Sequence, residues 1–371
     1  MKIETTAIHA GNQSDENTGA VIQPITLSTT YLRDQDGSYR SGYIYSRAGN
    51  PNRTQLENVL TKLEYGADAA AFSSGNAAGM TAFQSLKPGT HVICPDDMYH
   101  GLRNQLKHMF AGILEFDFVD VNDEQILIDQ IKPHTGLIWL ETPSNPLLKI
   151  TDIKKVVALA KQYQINVLVD NTFATPVCQH PLLLGADMVM HSSTKYIGGH
   201  SDLMGGVLIT AAKDEWWTKI RQIQELGGAI PSPADCYYLT RSIKTLPYRV
   251  KGHVHNAQLL AAYLEEHDQI ESVLYPGLKS HPQHEMAAKQ MDYFGGMLSF
   301  CLKGGEAEAR RVINKLKLFA QATSLGGVES LIEHRASVEG PGTVTPQNLL
   351  RVSVGLEHID DLIADMGQAL S

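Results

Sequence analysis

Three short segments carry residue types that would suit one kind of chemistry if the fold brought them together. The apolar run Val167-Leu168-Val169 ends in Asp170-Asn171, and Met188-Val189-Met190 ends in His191-Ser192-Ser193-Thr194-Lys195. Ala69–Phe72 ends in Ser73-Ser74-Gly75-Asn76, where a helical stretch begins. A lysine amine captures an aldehyde as a Schiff base, and a carboxylate keeps a pyridine nitrogen protonated so that the ring accepts electrons. A glycine turn at a helix N-terminus, with nearby hydroxyls, supplies the donors that a phosphate needs. Pyridoxal 5′-phosphate (PLP) requires that set. Lys195 is therefore the candidate lysine, Asp170 the candidate partner of the ring nitrogen, and Ser74, Gly75, Asn76, Ser192 and Thr194 the candidate phosphate cradle. Taken singly, each has a plainer explanation: most lysines lie on the surface, and an Asp or a Ser-Gly-Asn at an element end is often only a turn or a cap. The combination carries the inference.

The elements that must position these residues are legible as an alternation. Leu56, Val59, Leu60 and Leu63 fall at helical spacing and stop at Gly66. Short apolar strands then alternate with helices: strands at Ala69–Phe72, His91–Cys94, Leu114–Val119, Leu137–Leu140, Val167–Val169, Met188–Met190 and Val207–Ile209, helices over 76–86, near 123–131 and from Ile153 to Ala160. This order predicts an α/β fold whose large domain holds a mostly parallel sheet covered on both faces. Ligands of such sheets bind outside the carboxyl ends of the strands, where the three segments lie. Residues 1–50 are polar and glycine-rich and are expected to form an extended arm, 51–240 the large domain, and 241–371 a smaller C-terminal α+β domain with one strand signal at Met297–Leu302.

Composition narrows the class. The 371 residues carry a formal net charge of −9 without any long basic run, which argues against nucleic acid and against an anionic membrane surface as partners. No segment reaches the roughly 18 apolar residues of a membrane span, and Met1–Thr6 lacks a signal-peptide core, so the cytoplasm is the expected location. Cys94, Cys178, Cys236 and Cys301 are widely separated, which predicts reduced, buried thiols rather than disulfides or a metal site.

Longer motifs resemble one family. His191–Tyr196, Val169-Asp170-Asn171-Thr172-Phe173 and Ser324–Leu331 are similar to signatures of the Cys/Met-metabolism, or trans-sulfuration, PLP enzymes, and the likeness runs from Gly19 to about Asp365. The family includes cystathionine γ-synthase, γ-lyase and β-lyase and methionine γ-lyase. The resemblance implies a fold type I (aminotransferase-like) architecture, a sulfur-containing amino-acid substrate and a homotetramer built as a dimer of dimers with shared active sites. It further implies that Tyr45 and Arg47 reach the cofactor phosphate of the neighbouring subunit and that Tyr99 stacks on the cofactor ring and helps protonate the leaving group. Asn145 and Arg351 would hold the substrate carboxylate, and Ser324 would line the same pocket. Lys195 would double as the mobile base.

The sequence departs from the family pattern in several places. Asn76 replaces a methionine, and the usual Tyr-Gly-Gly-Thr reads Tyr99-His100-Gly101-Leu102. Thr323 stands where the cystathionine γ-enzymes often carry Glu, and Glu-His-Pro-Ala-Ser-Met-Thr-His reads Glu333-His334-Arg335-Ala336-Ser337-Val338-Glu339-Gly340. The resemblance ranks γ-elimination or γ-replacement on cystathionine or an O-acyl-homoserine first, then β-lyase, then methionine γ-lyase. Another fold type I enzyme such as an aminotransferase, or a cofactor-binding scaffold without turnover, stands further off. A nicotinamide enzyme is disfavoured because no GxGxxG follows the first strand.

Overall fold

A computed structural model describes every residue except 13, 17, 341, 342 and 344. The apolar runs form seven strands: β1 (Asp68–Phe72), β2 (His91–Pro95), β3 (Glu115–Val119), β4 (Thr135–Glu141), β5 (Asn166–Asp170), β6 (Met188–His191) and β7 (Gly206–Thr210). They make one sheet in the order β1-β7-β6-β5-β4-β2-β3. The pairs from β6 across to β3 are all parallel, whereas β7 runs antiparallel to both β6 and β1. The connection from β6 to β7 contains no crossover helix, and a parallel neighbour needs one. Because β7 opposes both flanking strands, β1 ends at the same sheet edge as β5 and β6.

Side chains alternate between two apolar layers, which explains the unbroken hydrophobic runs. Phe72, Leu137, Trp139, Leu168, Met190 and Leu208 pack on one face. Ile138, Leu140, Val167 and Val169 pack on the other with the helix Ile153–Gln162. All four cysteines are buried, and none is paired with another.

Two helices differ from or refine the sequence reading. The expected extended arm begins with a helix, α1 (Ile3–His9), because Ile3 and Ala7, one turn apart, pack on the core beside α2 (Pro51–Leu63). Helix α2 follows the predicted face: Leu56, Val59, Leu60 and Leu63 are buried, Pro51 occupies its first turn, and Asn50 caps it by accepting from the Asn52 N–H.

The C-terminal part holds more strand than the single signal suggested. Five strands, β8 (Ile270–Leu274), β9 (Met297–Leu302), β10 (Ala320–Gln321), β11 (Leu331–His334) and β12 (Leu349–Ser353), form a second sheet in the order β10-β11-β12-β9-β8. All its pairs are antiparallel except β10 with β11. Polar residues hide these strands in the sequence: β8 carries exposed Glu271 and Ser272, and β11 and β12 bury Glu333 and Arg351 directly opposite one another. Those buried charges belong to the site.

Candidate active site

Each segment singled out above sits at the carboxyl edge of the large sheet. Asp170 closes β5, the 192–195 turn follows β6, and α3 (Gly75–Gln84) follows β1. Two glycines permit their close approach. A Cβ on Gly75 would lie 2.8 Å from the Ser192 Cβ, and one on Gly206, the first residue of β7, would lie 2.2 Å from the Ser74 carbonyl oxygen. Beneath the edge, the wholly buried Glu64 receives His191 Nε2 at 2.5 Å and Asn171 Nδ2 at 2.9 Å, tying the ends of β5 and β6 to α2. Arg249 clamps the turn after Lys195 by donating to the carbonyls of Tyr196 and Ser242. Gly326, at φ +76°, passes so near that a Cβ would meet the Tyr196 nitrogen at 2.6 Å, so a side chain there has neither backbone freedom nor space.

The result is a cavity of about 400 Å³, within the usual size of a small-molecule site. Ser74, Gly75, Asn76, Tyr99, Asn145, Asp170, Ser192, Thr194, Lys195, Ser324 and Arg351 all line it. Tyr45 and Arg47 do not. Arg47 instead donates to the Glu225 carbonyl and lies over the Tyr45 ring, away from this cavity.

The electrostatics of the cavity follow from burial and from who pairs with whom. Lys195 Nζ donates to Ser324 Oγ at 2.7 Å. Burial, and next the nearby Arg351 charge, push this amine down to about 8. The sign gives a prediction: the amine is protonated below that pH and nucleophilic above it. Capture of pyridoxal phosphate by the cofactor-free protein should therefore accelerate as pH rises through about 8 and level off beyond, followed by stopped-flow absorbance. A rate flat from pH 6 to 10 would contradict it. Ser324 itself has φ +90°, a strained backbone for a residue with a side chain, and its carbonyl accepts from Arg351 Nη2 at 3.1 Å.

Asp170 accepts from the Thr172 N–H at 3.0 Å, and burial pushes its carboxyl upward. Glu141, its neighbour on β4, is pushed up as well, first by burial and then by the Asp170 charge, while its Oε2 accepts from the Tyr99 N–H at 2.8 Å. Among the described residues no basic side chain forms an ion pair with Asp170. A buried carboxylate left so is costly, and a ring N–H⁺ is the complement it lacks. At α3, the Ser74 side chain caps the Ala77 N–H, leaving those of Gly75 and Asn76 with no intrahelical acceptor. Arg351 donates Nη1 to Asn145 at 3.0 Å and Nη2 to Glu333 at 2.7 Å, while its buried Nε has no partner. A ring nitrogen, a phosphate and an amino-acid carboxylate would thus each meet a group whose bonding is incomplete. The residues fit the cofactor.

The departures fall in different places. Asn76 lines the cavity, but Leu102 is buried in the packing of α3 on α4 (His100–Met109), against Gly79. Thr323 and Arg335 line the cavity, yet each nitrogen of Arg335 already has a partner: Nε donates to Glu339, Nη1 to Glu333 and Nη2 to His100. The sequence reading assigned no role to Glu141, although it ends β4 as Asp170 ends β5, and the same strand-end rule finds it.

The chain matches the family described as Cys/Met metabolism PLP-dependent enzyme over residues 4–371. It is 47% identical to a cystathionine gamma-lyase of Dictyostelium discoideum and 46% identical to a cystathionine gamma-synthase of Mycobacterium leprae, covering 100% of this chain and 97% of the relative in each case. The crystal structure of metB from Corynebacterium glutamicum superposes with a TM-score of 0.97 at 43% identity, covering 100% of this chain and 98% of that one. The chain belongs to the Cys/Met metabolism PLP-dependent enzymes, a fold type I family, and pyridoxal phosphate is its cofactor.

Proposed function

We propose that this enzyme carries out γ-elimination or γ-replacement on cystathionine or an O-acyl-homoserine, with cystathionine β-lyase and then methionine γ-lyase activity as the alternatives. The observation that carries this reading is one cavity in which the Lys195 amine, the Asp170 carboxylate, the open N-terminus of α3 and the Arg351 guanidinium meet. Relatives named for the γ-lyase and the γ-synthase, equally similar to this chain, support the γ-reaction without choosing its direction.

Bound pyridoxal phosphate supplies an electron sink for negative charge developing on the substrate's α-carbon. The protein supplies the rest. Ser74, Gly75, Asn76, Ser192 and Thr194 anchor the phosphate, and Asp170 keeps the ring nitrogen protonated. Lys195 Nζ, partly neutral near physiological pH, would take the α-proton and, once it has given that proton up, would take the β-proton as well, the electrons of that C–H bond expelling the γ-substituent. Tyr99 stays protonated because burial raises its hydroxyl, so it can give a proton to the departing sulfur or oxygen. Arg351 and Asn145 hold the α-carboxylate. Arg351→Gln keeps hydrogen-bonding capacity but loses the charge and the planar fork. It should raise KM for the amino-acid substrate at least about thirtyfold, the lower end for truncating a buried charge pair; an unchanged KM in steady-state assays would remove Arg351 from this role.

Residues 51–240 serve in this reading as the cofactor domain, 241–371 as the smaller domain, and 1–50 as the arm of a tetramer of two dimers. Its support is the position of Tyr45 and Arg47 outside their own cavity, together with exposed Val21, Leu27, Leu32 and Ile44, an apolar set that needs cover. Light scattering would then give a four-chain mass. A cytoplasmic location is consistent with the finding that no helix among the described residues is long and apolar enough to cross a membrane.

The activity is tested by products. Cystathionine should yield 2-oxobutyrate, or O-succinylhomoserine with cysteine should yield cystathionine. Pyruvate from cystathionine would favour the β-lyase, 2-oxobutyrate from methionine alone the methionine γ-lyase, and no product from any of them would overturn the proposal.

A further inference from the structure

Two of the departures touch each other. His100 opens α4, Arg335 follows β11, and Arg335 Nη2 lies 3.0 Å from His100 Nδ1. A guanidinium only donates, so Nδ1 must accept and the ring proton must sit on Nε2. Protonating Nδ1 as well would set N–H against N–H, and burial with the Arg335 charge accordingly pushes His100 below its ordinary value. Arg335 is itself held from the other side by Glu333 and Glu339. The imidazole is thus locked as a neutral donor whose Nε2–H makes no hydrogen bond among the described residues.

The place of this donor gives it a use. Beside the cofactor cavity lies a second one of about 660 Å³, and Tyr99, His100 and Thr323 line both. Its lining sets Arg310, Gln321, Glu333 and Ser337 among apolar Ile313, Ala322 and Val338. Among the described residues, hydrogen bonds to Glu333 reach its Oε2 alone, from Arg335 at 3.1 Å and Arg351 at 2.7 Å. A donor at the threshold and a carboxylate in the wall are what the two ends of an α-amino-acid zwitterion require. A short thioether such as methionine has nothing to place there, whereas cystathionine carries a second amino-acid head beyond its sulfur.

We propose that the second cavity receives the distal amino-acid half of cystathionine and that His100, held by Arg335, is a specificity-determining residue that donates Nε2–H to the distal carboxylate. This deepens the proposed function and rests on it. The test compares KM for cystathionine with the inhibition constant of S-ethyl-L-homocysteine, which shares the α-amino acid and the thioether but ends before the distal head. His100→Asn keeps an acceptor for Arg335 and removes the far donor, and His100→Gln can restore a donor near Nε2. In the holoenzyme, His100→Asn and His100→Ala should raise KM for cystathionine about tenfold relative to that inhibition constant, as loss of one hydrogen bond of about 1.4 kcal/mol does. His100→Gln should recover most of the difference. Equal changes in both constants, no change in either, or no recovery with Gln would overturn the assignment. A wild-type enzyme that turns over cystathionine while the variants show no selective loss refutes the role of His100 alone. A wild-type enzyme inert toward cystathionine refutes the proposed function and this inference with it.

Discussion

Lys195→Ala should leave a folded protein whose turnover falls at least about 10³-fold and which binds pyridoxal phosphate without a covalent bond to the chain. Two functions are lost together. The amine that captures the cofactor disappears, and so does the base placed to move the substrate's protons. The fold should survive, because among the described residues the Lys195 side chain makes a single hydrogen bond, to Ser324, while the surrounding turn is held independently by Arg249 and by the approach of Gly326 to Tyr196. Turnover within tenfold of wild type would remove Lys195 from the chemistry.

Asp170→Asn should reduce turnover by about 10²- to 10³-fold, the usual loss when a group that stabilises developing charge is removed. Asparagine is nearly isosteric and can still accept from the Thr172 N–H, so position is conserved and only the charge changes. A neutral amide gives the ring nitrogen no reason to keep its proton, and the electron sink weakens. The same substitution removes a buried carboxylate that has no ion-pair partner among the described residues and stands beside Glu141. The cofactor-free variant should therefore melt no lower than the cofactor-free wild type. A large loss of stability with normal turnover in the surviving protein would reverse the assignment: Asp170 would then be a structural residue.

Much of this site was visible in the sequence because open parallel sheets concentrate function at one edge. Asp170, Lys195 and the Ser74-Gly75-Asn76 turn each follow a short apolar run, and strand direction alone brings them together. Arg351 and Asn145 were visible only through the family likeness. Arg351 lies in the middle of β12, where a charged residue argues against a buried strand until its partner Glu333 on β11 is known. That mutual neutralisation is a tertiary fact, and it is also why β11 and β12 escaped notice. The contact of His100 with Arg335 joins residues 235 positions apart, and no local spacing announces it. Helix α1 was missed for a related reason: seven residues give too short a period to stand out, and docking of Ile3 and Ala7 on the core, rather than propensity, holds them helical.

Reduction of the purified holoenzyme with borohydride, followed by digestion and mass spectrometry, tests the covalent attachment most directly. The yellow absorbance should bleach, and the pyridoxyl-phosphate mass should appear on the peptide containing Lys195 and on no other. A protein that stays colourless in the presence of excess pyridoxal phosphate, or a label found on a different lysine, would contradict the account at its foundation.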